Sequence, residues 1–76
     1  MTYHAPSLSK TAWILALLGS SVARAGGIII QDRAHIDRVV GRDLFLKEMH
    51  KNGFRVVENA DHIIIFCNSA PIRRVL

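Results

Sequence analysis

The sequence predicts an α+β domain with three helices, a short strand between the first and second, and a C-terminal β-hairpin. Three observations carry this. The apolar run at 12–18 reads as a buried helix. Apolar residues recur at helical spacing over 33–40 and 42–51. Two β-branched stretches, 54–57 and 62–67, flank the turn-forming Glu58-Asn59-Ala60-Asp61.

Residues 1–7 read as a flexible lead, 8–68 as the domain and 69–76 as a basic, partly apolar tail. Pro6 and Ser7, or Ser9, suit a helix start, because a hydroxyl there accepts a bond from an orphan backbone N–H. The first helix is expected to run to about Ala23, with Trp13 in the core. Gly19-Ser20-Ser21 weakens it and Gly26-Gly27 breaks the chain. Gly27-Ile28-Ile29-Ile30 reads as a strand of three or four residues. Asp32 is a good N-cap for a helix over 33–40, whose Ile36, Val39 and Val40 share a face; Gly41 ends it. The third helix runs from Arg42 or Asp43 to Lys51 and is closed by Asn52-Gly53. Phe45 and Met49, four apart, point inward with Leu46 beside them. Asp43, Lys47, His50 and Lys51 fall on the opposite face. Asn68 and Pro71 end the hairpin.

Seventy-six residues make one domain, half of it hydrophobic and 21% charged, which is a globular composition. A chain of this size buries only about 60% of its unfolded surface, so its stability is marginal. The single cysteine, Cys67, excludes an internal disulfide and sits in an apolar run that suggests a buried, unreactive thiol. That usage fits a reducing compartment and a cytoplasmic protein, associated with the nucleoid if it binds DNA. A net charge of +4 favours anionic partners. Lys10, the apolar 12–18 and Ala23-Arg24-Ala25 also follow the layout of a secretory signal. The short apolar run and Arg24 fit that layout poorly, so a buried helix is the preferred reading and secretion after cleavage near Ala25 the minor alternative. The run is too short to span a bilayer, and no membrane partner is expected.

The order of elements resembles the winged-helix variant of the helix-turn-helix family. The residues that carry the resemblance are Trp13-Ile14-Leu15-Ala16-Leu17-Leu18 for the first helix and Ile28-Ile29-Ile30 for the small strand. The helix over 33–40 then serves as the second, 42–51 as the recognition helix, and Asn52-Gly53-Phe54-Arg55-Val56-Val57 leads into the wing. The resemblance implies a recognition helix in the major groove and a hairpin against the DNA backbone. A second likeness lies in 43–66, which looks like the helix–strand–strand core of HicA-type RNA-cleaving toxins. There His62 would match the catalytic histidine, although Ala60-Asp61 replaces that family's glycine-serine.

Between positions 32 and 55 stand six basic groups, Arg33, Arg38, Arg42, Lys47, Lys51 and Arg55. Four acids, Asp32, Asp37, Asp43 and Glu48, leave a balance of +2. The expected DNA-binding set is Arg33, Arg38, Arg42, Asp43, Lys47, His50, Lys51 and Arg55. Arg38, Arg42, Lys47 and Lys51 would meet phosphates, and Arg42, Asp43, Lys47 and His50 base edges. The plain alternative is a solvated face with local pairs such as Asp43 with Lys47. His4, His35, His50 and His62 share no metal-ligand spacing with one another or with Cys67. No phosphate loop or catalytic set stands out, so neither an enzyme nor a cofactor is expected.

The leading expectation is therefore a small transcriptional-regulator-like protein that binds double-stranded DNA, of a size that suits a phage or mobile element. The alternative is a protein-interaction module or inhibitor that meets an acidic host protein. The run Ile63-Ile64-Ile65 is too apolar for a solvated wing; either the first helix and the tail cover it, or its exposed edge is an interface. A homodimer through the hairpin or the C-terminal tail is expected on that ground.

Overall fold

The computed structural model describes residues 9–76. Its element order is α1 (Lys10–Leu18), α2 (Ser21–Arg24), β1 (Ile28–Asp32), α3 (Arg33–Val39), α4 (Arg42–Lys51), β2 (Arg55–Asn59) and β3 (His62–Phe66). The expected flexible lead and Ser7 lie outside the described residues. The architecture is the α+β, winged-helix-like layout expected: α1, α3 and α4 against a three-stranded antiparallel sheet that ends in a hairpin.

The first helix is two pieces instead of one running to Ala23. Ser9 caps α1, its Oγ accepting from the Ala12 N–H at 3.0 Å. At the other end the Ser20 hydroxyl donates to the Leu17 carbonyl at 2.7 Å and accepts from the Ala23 N–H at 3.2 Å. One side chain thus closes α1 and caps the single turn α2, the local competition that makes serine a poor mid-helix residue. Ala23 is buried and Arg24 exposed, so the stretch with the signal-like layout is built into the core through Ile14, Leu17 and Ala23.

The first strand starts one residue later and ends two later than expected. Asp32 occupies the N-cap position of α3, but its side chain makes no capping bond. The Arg33 N–H instead donates to the Asp61 carbonyl at 2.8 Å, so the ladder with β3 runs straight into the helix. Gly41, at φ 90°, makes the tight corner between α3 and α4, a conformation a side chain would strain. Gly53, at φ 73°, closes α4 as the sequence suggested.

The hairpin turn is only Ala60-Asp61, because Glu58 and Asn59 belong to β2. Ala60 holds φ 54°, the left-handed geometry a two-residue hairpin demands. The strand order is β1-β3-β2, with both neighbours antiparallel to β3. Ile63-Ile64-Ile65 is therefore the central strand and has no exposed edge, contrary to expectation. Its neighbour on the far side is β1, which a sequence-local hairpin signal does not reveal.

Ile63 and Ile65 face the helices and join Ile14, Leu17, Ile36, Val40, Phe45, Met49 and Cys67 in the core. Trp13 packs at its rim, edge-on to Phe45 with centroids 6.3 Å apart. Leu46, expected to point inward, is 37% exposed, because a further 100° of helix turn beyond Phe45 carries it past the apolar stripe.

Candidate functional site

On α4, Phe45 and Met49 are each 1% exposed and anchor the helix. Turning away from them are Asp43, Lys47, His50 and Lys51, all exposed, whereas Arg42, three residues before Phe45, lies on the Phe45 side of the helix. Lys47 and Lys51 lie one turn apart and share that face with Asp43 and His50. Arg38 is exposed in the last turn of α3, which the Val40-Gly41 corner joins to α4.

Two of the expected cations are engaged by the hairpin. Arg33 Nη1 lies 3.4 Å from Glu58 Oε2, and its Nη2 3.3 Å from Asp61 Oδ1. Arg42 Nη1 lies 2.9 Å from Glu58 Oε1. Glu58 thus bridges the first residues of α3 and α4. The bond from Arg42, ahead of the charge of Arg42 and Arg33, holds the Glu58 carboxyl below its usual range. The same bond raises the already high pKa of Arg42. The Asp43–Lys47 pair of the plain alternative does not form; among the described residues the ion pairs are these three.

Arg55 is separate from this face. It pairs in register with Phe66 on β3, and cross-strand partners share a side of the sheet. Ile63 and Ile65 point to the core, so Phe66 and Arg55 point to the opposite, open side. Arg38, Lys47 and Lys51 therefore remain as exposed cations on the helical side without an ion-pair partner among the described residues.

The run at 63–65 pointed to an apolar second face of the sheet, but the share of β1 in it was not expected. Ile28, Ile30, Ile64, Phe66 and Val57 project there, and no described element packs over them; Ile28 is 54% and Ile30 61% exposed. The available signal was that 28–30 and 63–65 are apolar at every position, where a half-solvated sheet alternates. His62 is exposed at the edge of this side, across from Asp32 and Asn59. Beneath β1 runs an apolar groove of about 410 Å³ lined by Trp13, Ala16, Leu17, Val22, Ile29 and Gln31. Burial pushes the Cys67 thiol up, so it stays protonated at neutral pH. No helix among the described residues is long and apolar enough to cross a membrane.

Comparison with protein-family models, with curated proteins and with solved structures finds no match to the chain.

Proposed function

We propose that the chain is a small DNA-binding protein of the winged-helix kind, with α4 as the helix that enters the major groove. The observation that supports this most is the outward face of α4. It carries Lys47, His50 and Lys51, free of ion pairs among the described residues, on a helix whose other face is locked into the core by Phe45 and Met49. Such a helix is rigid, basic and cornered against α3, as groove insertion requires. In this reading Lys47, Lys51 and Arg38 contact phosphates, while Asp43 and His50 offer an acceptor and a donor to base edges. Arg33 and Arg42 serve to hold the hairpin against the two helices through Glu58 and Asp61.

The test is duplex DNA binding titrated against salt. Three phosphate contacts give a log–log slope of about −2.7, at roughly 0.9 per contact, and Lys47→Ala reduces its size by about one contact. No binding at low salt sinks the proposal.

A second reading, a small module or inhibitor that binds a host protein, is favoured by the hairpin tip. A wing that touches DNA needs cations there, and this tip offers Glu58 and Asp61. A single stoichiometric protein partner in a pull-down, with no DNA shift, supports this reading over the first.

A further inference from the structure

Among the described residues the sheet has two free edges, and they differ. Along β1, Gly27 accepts from Cys67 N–H at 2.9 Å and Arg33 donates to Asp61 at 2.8 Å. In an antiparallel ladder the bonded residues alternate. Gly27, Ile29, Gln31 and Arg33 therefore aim their backbone groups at β3, and Ile28, Ile30 and Asp32 aim theirs outward. The same parity makes Val56 and Glu58 the outward residues of β2. That second edge is blunted by the Glu58 carboxylate and the two arginines it holds. The β1 edge has neither lysine, arginine nor proline from Gly27 to Gln31, the devices by which natural edges avoid pairing.

We infer that β1 is a dimer seam at which a second copy of this chain pairs antiparallel with the first about a dyad at Ile30, making one six-stranded sheet. The edge is self-complementary in that register. Ile30 faces its own copy, and Ile28 faces the partner's Asp32, so the outward N–H groups of Ile30 and Asp32 in each copy meet a carbonyl, while the Asp32 carbonyl is engaged by the first turn of α3. The two Asp32 carboxylates stand about 13 Å apart, four residues along a strand, so charge does not oppose the pairing. On the open side the exposed Ile28 and Ile30 of both copies close into one apolar band. Beneath the sheet, Ile29 falls beside the partner's Gln31, so the two grooves under β1 adjoin and are shut off from solvent. The pairing buries the flanks of Ile28 and Ile30 and closes the groove, while the outer face of the band stays open. A 76-residue domain with no disulfide has reason to recruit a second copy. The seam does not depend on DNA binding and is read without DNA.

The experiment is the mass of the full chain in solution by light scattering and by sedimentation, for wild type, Ile30→Lys, Ile30→Pro and Val57→Lys. Wild type is expected at twice 8.5 kDa at tens of micromolar. Ile30→Lys is expected to weaken the dimer at least tenfold. Ile30→Pro removes the seam N–H as well as the side chain, and leaves the β1–β3 ladder intact because that N–H points away from β3 and proline is tolerated at such edge positions. Val57→Lys lies on the same open side but off the seam and stays dimeric.

Circular dichroism confirms that each variant is folded, and an oxidative cross-link gives a second readout. Ile30→Cys is expected to form an intermolecular disulfide, since paired Cα atoms stand about 5.5 Å apart. Val57→Cys, roughly 24 Å from its copy by strand spacing, does not. A monomeric wild type, a dimer that survives both Ile30 variants, or one lost on removing 69–76 overturns the inference.

Discussion

Arg42 Nη1 and Glu58 Oε1 stand 2.9 Å apart and tie the first residue of α4 to the second-last residue of β2. Both groups are solvated, so the pair positions the hairpin more than it stabilises the fold. Glu58→Gln releases Arg42, leaves Arg33 held by Asp61 alone and removes an anion beside α4. Under the DNA-binding proposal this variant binds duplex several-fold more tightly at low salt and shows a steeper salt slope. An unchanged or weaker affinity argues that the bridge is needed to hold the binding face.

The same residue gives a pH dependence. The folded-state pKa of Glu58 is depressed by Arg42 and Arg33, so the pairing stabilises above the unfolded carboxyl pKa. That contribution is lost as pH falls through the folded value. The stability difference between wild type and Glu58→Gln is therefore small and constant near neutral pH and disappears in acid. Urea midpoints at several pH values measure it.

Phe45 is the largest fully buried side chain. Phe45→Ala is expected to cost about 3–5 kcal/mol through lost transfer energy and an unfilled cavity. A domain of this length has roughly 4–11 kcal/mol in hand. The variant should be marginal or unfolded at 25 °C, which a urea titration followed through Trp13 fluorescence will show. Loss of the Trp13 edge contact alone would be far smaller.

Ala60→Gly is expected to stabilise. At φ 54° the Ala60 methyl is strained by about 1 kcal/mol, which glycine relieves at a smaller cost in unfolded-chain entropy. The net gain is about 0.5 kcal/mol, a rise of roughly 2–4 °C in Tm by calorimetry.

Cys67 is 5% exposed and its thiol is held protonated by burial. Modification by a disulfide reagent at pH 8 should be at least a hundredfold slower in the native chain than in urea. Its rate should follow global opening, because Cys67 also bonds Gly27 at the end of the sheet.

The helical half was legible because each cue there is local. Phe45 and Met49 are four apart, and Asn52-Gly53 names the end of α4 in the chain itself. What escaped reading was set by distance in sequence. Nothing near Ile64 says that Ile30 lies beside it, so the central strand looked like an edge. The basic set was legible as a composition, but its division was not. Arg33 and Arg42 meet acids 25 and 16 residues downstream, and Arg55 turns to the far side of the sheet because of strand parity. Leu46 and Ser20 are cases where a boundary position gave way to the neighbouring force, a drifting helix stripe in one and a hydroxyl bonding its own backbone in the other.

The placement of β3 between β1 and β2 has a bearing on how the chain is made. During synthesis the four helices and both outer strands leave the ribosome before His62–Phe66 does. Until that segment emerges, β1 and β2 have no strand to pair with, since they never touch each other in the sheet. The nascent chain therefore carries Ile28-Ile29-Ile30 unpaired until residues 62–66 are made, an interval of risk for association with the wrong strand. Any product stopped before residue 62 keeps its helices' sequence and loses the one segment that makes a sheet of the rest.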